Sequence, residues 1–293
     1  MSHFAKSYDE ISEIRAREPE RIAGLFRSRK RRHLLGDDGK MMIVACDHPA
    51  RGALSVGSDP HAMSDRKDLL GRLQTALSRP GVDGLLATAD IVEDLLLLGA
   101  LEDKIMFSSM NRGGLAGASF EMDDRMTGYD VQGTIDGGFD GAKMLTRIDL
   151  GDPGTVSTIE ACARAVTELN RAKLIAMVEP FMSSRVAGKI VNDLSPEAVI
   201  KSIHIAQGFG SSTAYTWMKL PVVKEMERVM DATTFPTLLL GGDPSGSQED
   251  TLAAWAKALS LPSVRGLVVG RTMLYPADGD VANAVDNAVS LIR

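Results

Sequence analysis

The chain has 293 residues, of which 44% are hydrophobic, and it carries a formal net charge of −6 at neutral pH. This acidic balance argues against a general nucleic-acid-binding protein, and no apolar run is long enough to cross a membrane. The N-terminus lacks the apolar core of a signal peptide, and the two cysteines, Cys46 and Cys162, lie far apart in sequence. We therefore expect a cytoplasmic protein that binds neither nucleic acid nor membrane.

Residues 1–36 predict a helical extension in front of the main domain. Ile11 and Ile14 belong to a set of apolar residues at roughly helical spacing, and Pro19 suits the start of a second helix. The basic run over 27–32 would bind phosphate or nucleic acid in some proteins. The acidic balance of the remaining chain favours a solvated helix face instead.

Residues 37–293 predict one domain, because short apolar runs typical of buried parallel strands alternate with helical segments and no shift in composition divides them. Strands are predicted at 41–47, 82–87, 104–109, 141–146, 174–180, 215–221, 237–242 and 266–270. Helices are predicted at 64–79, 90–99, 126–138, 157–171, 195–209, 222–232, 247–260 and 278–292. Eight strands alternating with eight helices indicate a single (β/α)8 TIM barrel of the α/β class.

Polar residues at the ends of these strands indicate an active site, because the catalytic groups of such barrels lie at the C-terminal ends of the strands. Side-chain alternation places Lys219 on the same face as Trp217. It places Cys46 on the face opposite to Asp47, which makes Cys46 an inert core thiol. The strand-end residues are Asp47, Ser108 or Ser109, Lys143, Glu179, Lys219, the pair Gly241 and Gly242, and Gly270 with Arg271.

Lys219 is the candidate nucleophile, because it interrupts the apolar run over 215–221 and lysines are rarely buried without a partner or a task. A neutral lysine attacks a carbonyl to form a Schiff base, and a nearby cation and a dry pocket favour the neutral amine. The alternative is an edge-strand lysine that reaches solvent. Lys143 would supply the cation, or would form a structural ion pair. Glu179 and Asp47 are the candidate general bases, or merely hold a lysine in place.

Glycine-bearing turns follow the seventh and eighth predicted strands, where barrels of this kind often bind phosphate. Gly241 and Gly242 would bring backbone N–H groups close to a phosphate, and Gly270 with Arg271 would add a guanidinium. A glycine pair also serves to make a tight turn. The prediction of a phosphate site therefore depends on the joint placement of the two turns.

Short motifs, in order along residues 40–293, resemble those of class I, Schiff-base aldolases of the group that includes tagatose-bisphosphate, archaeal-type fructose-bisphosphate and deoxyribose-phosphate aldolases. The resemblance implies a metal-independent lyase of carbohydrate metabolism, without a cofactor, that cleaves a phosphorylated sugar. It implies Lys219 as the Schiff-base lysine, Glu179 and Asp47 as acid/base or orienting groups, and Lys143 as the second cation. The motifs are 45–54 (ACDHPARGAL), 142–145 (AKML), 178–180 (VEP), 217–221 (WMKLP), 241–242 (GG) and 269–271 (VGR).

Departures from the pattern bear on the substrate. The seventh strand lacks the lysine that deoxyribose-phosphate aldolase has there, and residues 108–112 and 121–125 do not match the fructose- and tagatose-bisphosphate enzymes. The chain also resembles an actinobacterial-type family associated with inositol breakdown. That likeness implies cleavage of 6-phospho-5-dehydro-2-deoxygluconate to dihydroxyacetone phosphate and malonate semialdehyde. Four arginines are then candidate partners for a substrate carboxylate or phosphate, namely Arg51, Arg112, Arg147 and Arg185.

Enzymes of this group are commonly oligomers, so we expect a homo-oligomer that takes a small phosphorylated sugar. A metal-dependent aldolase or hydrolase is disfavoured, because the five histidines show no paired ligand spacing and only His48 lies at a predicted strand end. A sugar-phosphate-binding regulatory barrel without catalysis is disfavoured by the full set of acid, base and nucleophile candidates. Nucleic-acid binding through residues 27–33 would be sensitive to salt.

Overall fold

The computed structural model describes residues 4–241 and 248–293, and its centre is a closed barrel of parallel strands. Eight strands of the described residues pair in the order β1, β2, β3, β4, β5, β7, β8, β9 and back to β1, and β6 pairs antiparallel with the end of β5. This closure confirms the predicted (β/α)8 barrel. The bounds are β1 Met41–Cys46, β2 Gly84–Ala87, β3 Ile105–Ser109, β4 Gly141–Ile148, β5 Ile175–Val186, β6 Lys189–Asn192, β7 Thr216–Pro221, β8 Thr237–Leu240 and β9 Val264–Val269.

Helices follow the strands and form the outer layer. Side-chain caps fix several of their first turns: Asp65, Asp130 and Ser195 each accept a hydrogen bond from a backbone N–H of the helix that they precede. In the described residues the helices are α1 Tyr8–Arg17, α2 Glu20–Ser28, α3 Arg66–Ser78, α4 Ala89–Leu97, α5 Val131–Asp136, α6 Gly154–Arg171, α7 Pro196–Gln207, α8 Met226–Met230, α9 Gln248–Leu259, α10 Arg271–Leu274 and α11 Val281–Ser290.

Two helices are shorter than predicted, and the backbone in front of each gives the reason. The helix predicted over 126–138 begins only after Asp130, whose extended backbone and side-chain cap set its first turn. The helix predicted over 222–232 begins after Glu225, which has a left-handed backbone with φ 56°. An α-helix does not continue through a residue in that conformation.

The fifth strand is longer than predicted. It was expected to end at Pro180, but it continues to Val186 and folds back on β6 as a hairpin. The turn is Ala187 and Gly188, and both have positive φ, which matches the twist of a two-residue hairpin. Pairing of β5 with the barrel strands ends at Met182, so the hairpin extends beyond the C-terminal ends of the barrel strands.

Helices α1 and α2 lie before the barrel strands, and their buried residues Ile11, Ile14 and Leu25 join the apolar cluster between the strands and the outer helices. The helical character predicted for the start of the chain is therefore observed. The domain boundary at residue 36 stays a prediction. Leu34 and Leu35, which follow these helices, pack against the apolar interior of the barrel.

The basic run over 27–32 is only in part the solvated helix face that the sequence predicted, because Arg27 and Ser28 are exposed in the last turn of α2 and the remaining residues lie beyond it. Helix α2 ends at Ser28, and the chain then passes under the N-terminal ends of the strands. Arg29 is 5% exposed and donates hydrogen bonds to backbone carbonyl oxygens that precede β3 and β4. Arg32 pairs with Asp83, a buried carboxylate just before β2, at 2.7 Å. Arg29 and Arg32 therefore bind polar groups at the base of the barrel.

Side-chain alternation divides the core into two apolar clusters. Inward residues such as Phe107 and Met177 fill the barrel, and outward residues such as Val44 pack against the helices. Cys46 belongs to the outward cluster, as predicted, and burial raises the pKa of its thiol. Burial also raises the pKa of Cys162, to about 11. In the described residues, no helix combines the length and the apolar character needed to cross a membrane.

Candidate active site

Asp47, Lys143, Glu179 and Lys219 meet inside the barrel at the C-terminal ends of the strands. The two lysines lie in β4 and β7, the glutamate lies in β5, and the aspartate directly follows β1. Lys219 points inward because it is two residues after Trp217, which belongs to the interior cluster. All four residues are buried. The structure thus brings together the four residues that the sequence predicted as catalytic.

Glu179 bridges the two lysines. Its Oε1 accepts a hydrogen bond from Lys219 Nζ at 2.8 Å, and its Oε2 lies 2.5 Å from Lys143 Nζ. Burial by itself would raise the pKa of the Glu179 carboxyl, but the two ammonium groups lower the pKa to about 2. Glu179 is therefore ionised at neutral pH, and one carboxylate holds both amines.

Lys143 contacts both buried carboxylates. In addition to its contact with Glu179, its Nζ lies 3.2 Å from Asp47 Oδ2. Burial lowers the pKa of Lys143 to about 8, because the loss of hydration outweighs the attraction of the two carboxylates. The side chain therefore forms the ion pairs of a structural lysine and also titrates close to neutral pH, as an acid catalyst does.

Asp47 is held from three sides. Its Oδ2 accepts a hydrogen bond from Ser109 Oγ at 2.8 Å and lies 3.2 Å from Arg112 Nη1. Burial would raise its pKa, but the neighbouring cations, Arg112 first, hold the pKa well below its usual range. Ser108, the alternative strand-end serine, points outward and hydrogen-bonds to helix α5. Ser109 is therefore the serine of the site.

His48 lies next to this cluster, with Nδ1 3.8 Å from Asp47 Oδ1. Burial lowers the pKa of His48 to about 3, so the imidazole adds no positive charge at neutral pH. Across residues 4–241 and 248–293, no three histidine, cysteine or acidic side chains converge in a way that would hold a metal ion.

Two of the four candidate arginines pair with acids of the segment between β3 and α5, residues 110–130. Arg51 forms an ion pair with Asp124 and donates to the carbonyl oxygen of Gly114 at 2.9 Å. Arg147 Nη1 lies 2.6 Å from Glu121 Oε1. From the sequence, parts of this segment stood out only because they do not match the fructose- and tagatose-bisphosphate aldolases. The available signal was a pair of acids, Glu121 and Asp124, that lie in sequence between the candidate arginines Arg51 and Arg147.

The other two arginines have different surroundings. Arg185, in the hairpin extension of β5, donates to the carbonyl oxygens of Ala118 and Ser119 at 3.4 and 2.9 Å, and so ties the hairpin to the β3–α5 segment. Arg112 donates from Nη1 to the backbone carbonyl of Asp47 at 3.0 Å, as well as facing its carboxylate. Among the four arginines, Arg112 is the one that touches the predicted catalytic cluster.

The turns predicted to bind phosphate follow β8 and β9, and Gly242 lies outside the described residues. A Cβ on Gly241 would come within 2.5 Å of a β9 side chain, and one on Gly270 within 2.4 Å of a β1 carbonyl oxygen. Close packing of neighbouring strands therefore requires glycine at both positions, whatever the turns bind. Arg271 begins α10, and its Nη1 donates to the carbonyl oxygen of Ser55 at 3.5 Å.

Solved structures resemble this chain, among them the three that follow, whereas no curated protein matches it. Cgl0159 from Corynebacterium glutamicum is 59% identical over 99% of this chain and 98% of that chain, with a TM-score of 0.96. A Schiff-base-forming fructose-1,6-bisphosphate aldolase is 19% identical over 93% of this chain and 100% of that chain, with a TM-score of 0.62.

The third is an archaeal fructose-1,6-bisphosphate aldolase with its catalytic lysine covalently bound to a carbinolamine intermediate. It is 19% identical over 92% of this chain and 99% of that chain, with a TM-score of 0.63. Similarity at this level of identity shows that the two aldolases share the barrel fold with this chain. The family model described as Cgl0159-like matches residues 39–289, and the chain therefore belongs to the Cgl0159-like family.

Proposed function

We propose that the protein is a class I aldolase, a carbon–carbon lyase in which Lys219 forms a Schiff base with a phosphorylated sugar. The observation that carries the proposal is the hydrogen bond of 2.8 Å between Lys219 Nζ and Glu179 Oε1 inside the barrel. A buried amine next to a carboxylate that accepts its proton is suited to attack a carbonyl. The barrel fold shared with Schiff-base aldolases supports the proposal.

In the proposed first half of the reaction, the neutral amine of Lys219 attacks the ketone carbon of the substrate. The ketone oxygen leaves as water, with one proton that comes from the amine through Glu179 and a second that comes from the Lys143 ammonium. The remaining bond is a protonated imine on Lys219. Lys143 suits the acid role because its pKa of about 8 allows it to lose a proton near neutral pH.

In the second half, the Glu179 carboxylate, which has passed the amine proton on to the departing water, removes the proton from the hydroxyl group next to the bond that breaks and later returns it to the enamine carbon. The electrons of that carbon–carbon bond move into the imine and leave an enamine on Lys219, and the aldehyde departs. A proton then returns to the enamine carbon, and water hydrolyses the imine to release the ketone. We assign the proton transfers at the amine to Glu179, which touches it, and the orientation of the hydroxyl group to Asp47.

The substrate phosphate is proposed to bind at the turns after β8 and β9, through Gly241, Gly242, Gly270 and Arg271. In the barrel β8 lies next to β7 and β9 lies next to β8, so the phosphate would lie on the same side as Lys219. The products are then dihydroxyacetone phosphate and an aldehyde. The substrate that we favour is 6-phospho-5-dehydro-2-deoxygluconate, which would be cleaved to dihydroxyacetone phosphate and malonate semialdehyde. A fructose- or tagatose-bisphosphate or a deoxyribose-phosphate substrate is the alternative.

Borohydride trapping tests the proposal. The protein is incubated with dihydroxyacetone phosphate, reduced with sodium borohydride, digested and analysed by mass spectrometry. We expect an adduct on Lys219 that disappears in Lys219→Met and persists in Lys201→Met, which removes an exposed lysine of α7. Failure to trap dihydroxyacetone phosphate, acetaldehyde or pyruvate would contradict the aldolase proposal. Binding of phosphosugars without an adduct would instead support a regulatory barrel.

A further inference from the structure

The buried site holds more positive than negative charge. Lys143, Lys219 and Arg112 face only two carboxylates, Asp47 and Glu179, and all five side chains are buried. A buried charge without a partner is costly, so the missing negative charge is expected from a bound ligand.

The nitrogen atoms of Arg112 locate the excess charge. Its Nε donates to the carbonyl oxygen of Asn111 at 2.6 Å, and its Nη1 faces Asp47. Its Nη2 is buried, and within the part of the chain that the structure describes it has no hydrogen-bond partner. A terminal guanidinium nitrogen carries two N–H donors, which is what recognition of a carboxylate or phosphate oxygen requires.

The other three candidate arginines differ from Arg112 in the partners of their terminal guanidinium nitrogens. Arg51 and Arg147 each have both terminal nitrogens engaged, by an acid and a backbone carbonyl of the β3–α5 segment. Arg185 has both engaged by backbone carbonyls. Among these four arginines, Arg112 is therefore the one with a terminal nitrogen that no described residue binds.

Arg112 also lies at the right place for the second end of a substrate. It follows β3, and β3 is four strands away from β8 in either direction around the barrel. The strands β8 and β9 end across the barrel mouth from Arg112, and the turns proposed to bind phosphate follow these ends in sequence. Lys219 in β7 lies between these two sides. A substrate held by its phosphate and by the Schiff base would extend its aldehyde-derived end toward Arg112.

We propose that Arg112 Nη2 binds an anionic group, a carboxylate or a phosphate, at the aldehyde-derived end of the substrate. The enzyme would then select acidic aldehydes over neutral aldehydes of similar shape. This inference rests on the proposed aldolase function and specifies the substrate class of the same site. It assigns to one arginine a role that the sequence left open among four.

Competition between matched acceptors tests the inference in the direction of aldol synthesis, with dihydroxyacetone phosphate as the donor. Malonate semialdehyde is compared with propanal, and glyceraldehyde 3-phosphate with glyceraldehyde. The loss of a hydrogen bond to a charged group predicts that kcat/KM favours the preferred acidic acceptor by on the order of 10- to 100-fold. The pair that shows the preference identifies the anion as a carboxylate or as a phosphate.

Arg112→Gln should reduce this ratio toward one, and Arg112→Lys should keep part of it because the charge remains. The ratio of kcat/KM for the acidic and the neutral acceptor is measured because loss of the contact between Arg112 and Asp47 lowers the rate with both acceptors. If Arg112→Gln does not fold, Arg112→Lys still tests the inference through the same ratio. Arg185→Gln is the matched control, because both of its terminal nitrogens are bound by the protein, and it should keep the wild-type ratio.

Trapping with dihydroxyacetone phosphate alone separates the two proposals, because that step needs no aldehyde. A Lys219 adduct together with equal use of acidic and neutral acceptors would overturn the role of Arg112 and leave the aldolase intact. A preference for acids that survives in Arg112→Gln would overturn it as well. The absence of any adduct would instead overturn the aldolase proposal on which the inference rests.

Discussion

The carboxylate of Glu179 lies 2.8 Å from the amine of Lys219, and both side chains are shielded from water. This is hydrogen-bond distance, so transfer of a proton between the two groups needs no intervening water molecule. The second oxygen of the same carboxylate touches Lys143. A change at Glu179 should therefore affect both amines at once.

Glu179→Gln should reduce both stability and activity. The substitution leaves two buried ammonium groups without their shared carboxylate, and breaking a buried pair in this way costs about 3–5 kcal/mol of unfolding free energy. Loss of a positioned acid/base group lowers kcat/KM by roughly 10²- to 10⁴-fold. Urea unfolding and the rate of borohydride trapping measure the two effects. Trapping at the wild-type rate in Glu179→Gln would contradict the role assigned to this carboxylate.

Glu197→Gln is the matched control for that experiment. Glu197 is an exposed acid whose partner, Arg228, is also exposed, at 2.7 Å. Exposed pairs of this kind contribute little to stability, because solvent screens the two charges. We therefore expect near wild-type unfolding and an unchanged trapping rate for this variant.

Acid should destabilise the protein through Glu179. Its pKa is about 2 in the folded protein and 4.5 in a model peptide, so the unfolded chain takes up the proton first as pH falls. The stabilisation is complete above pH 4.5 and is lost between pH 4.5 and 2, by about 3 kcal/mol in total. Unfolding free energies at pH 7 and pH 3 measure it. The difference between these pH values should be smaller in Glu179→Gln than in the wild-type protein, and equal differences would refute the assignment.

The rate of the reaction should fall as pH rises through about 8, where Lys143 loses its proton. We expect this because the proposed loss of water from the substrate carbon takes a proton from the Lys143 ammonium. Lys143→Arg keeps a positive charge that neither titrates in this range nor gives up a proton, so kcat should be lower at every pH and the decline near pH 8 should disappear. A profile of kcat between pH 6 and 10 measures this. The same decline in Lys143→Arg would assign the titration to another group.

Ser109→Ala and Ser108→Ala form a matched pair in one strand. Both serines are fully buried, but Ser109 donates to Asp47 inside the barrel and Ser108 bonds to helix α5 outside it. Each substitution removes one hydrogen bond and should cost about 1 kcal/mol of unfolding free energy. Only Ser109→Ala should also change kcat/KM and its pH profile. An equal change in both variants would show that the effect is structural.

The barrel could be predicted from the sequence because each buried strand is a short apolar run and each helix has its own periodicity. The cluster around Lys219 could be predicted for a related reason. In a closed parallel barrel all strands end at one face, so polar residues at strand ends must converge. The convergence of Asp47, Lys143 and Glu179 on this lysine follows from strand position and side-chain alternation alone.

Pairings that depend on irregular segments could not be predicted. Nothing in the local sequence specifies that Arg51 pairs with Asp124 or that Arg147 pairs with Glu121, because the conformation of residues 110–130 depends on tertiary contacts. The prediction that residues 27–32 form a solvated helix face was incorrect beyond Ser28 for the same reason. The charge pattern of these residues is compatible with a helix face, and their partners at the base of the barrel are supplied by distant strands.

The opposite directions of Ser108 and Ser109 have a consequence for how this family can vary. Deletion of a single residue from β3 ahead of Ser108 would move Ser109 to the outward position and bring Met110 to the inward position that Ser109 holds now. Asp47 would then face an apolar side chain in place of the serine that donates to it. Strands of the barrel should therefore tolerate substitutions but conserve their length across homologues. Differences in length should accumulate in the segments that follow the strands, such as residues 110–130 and the β5–β6 hairpin.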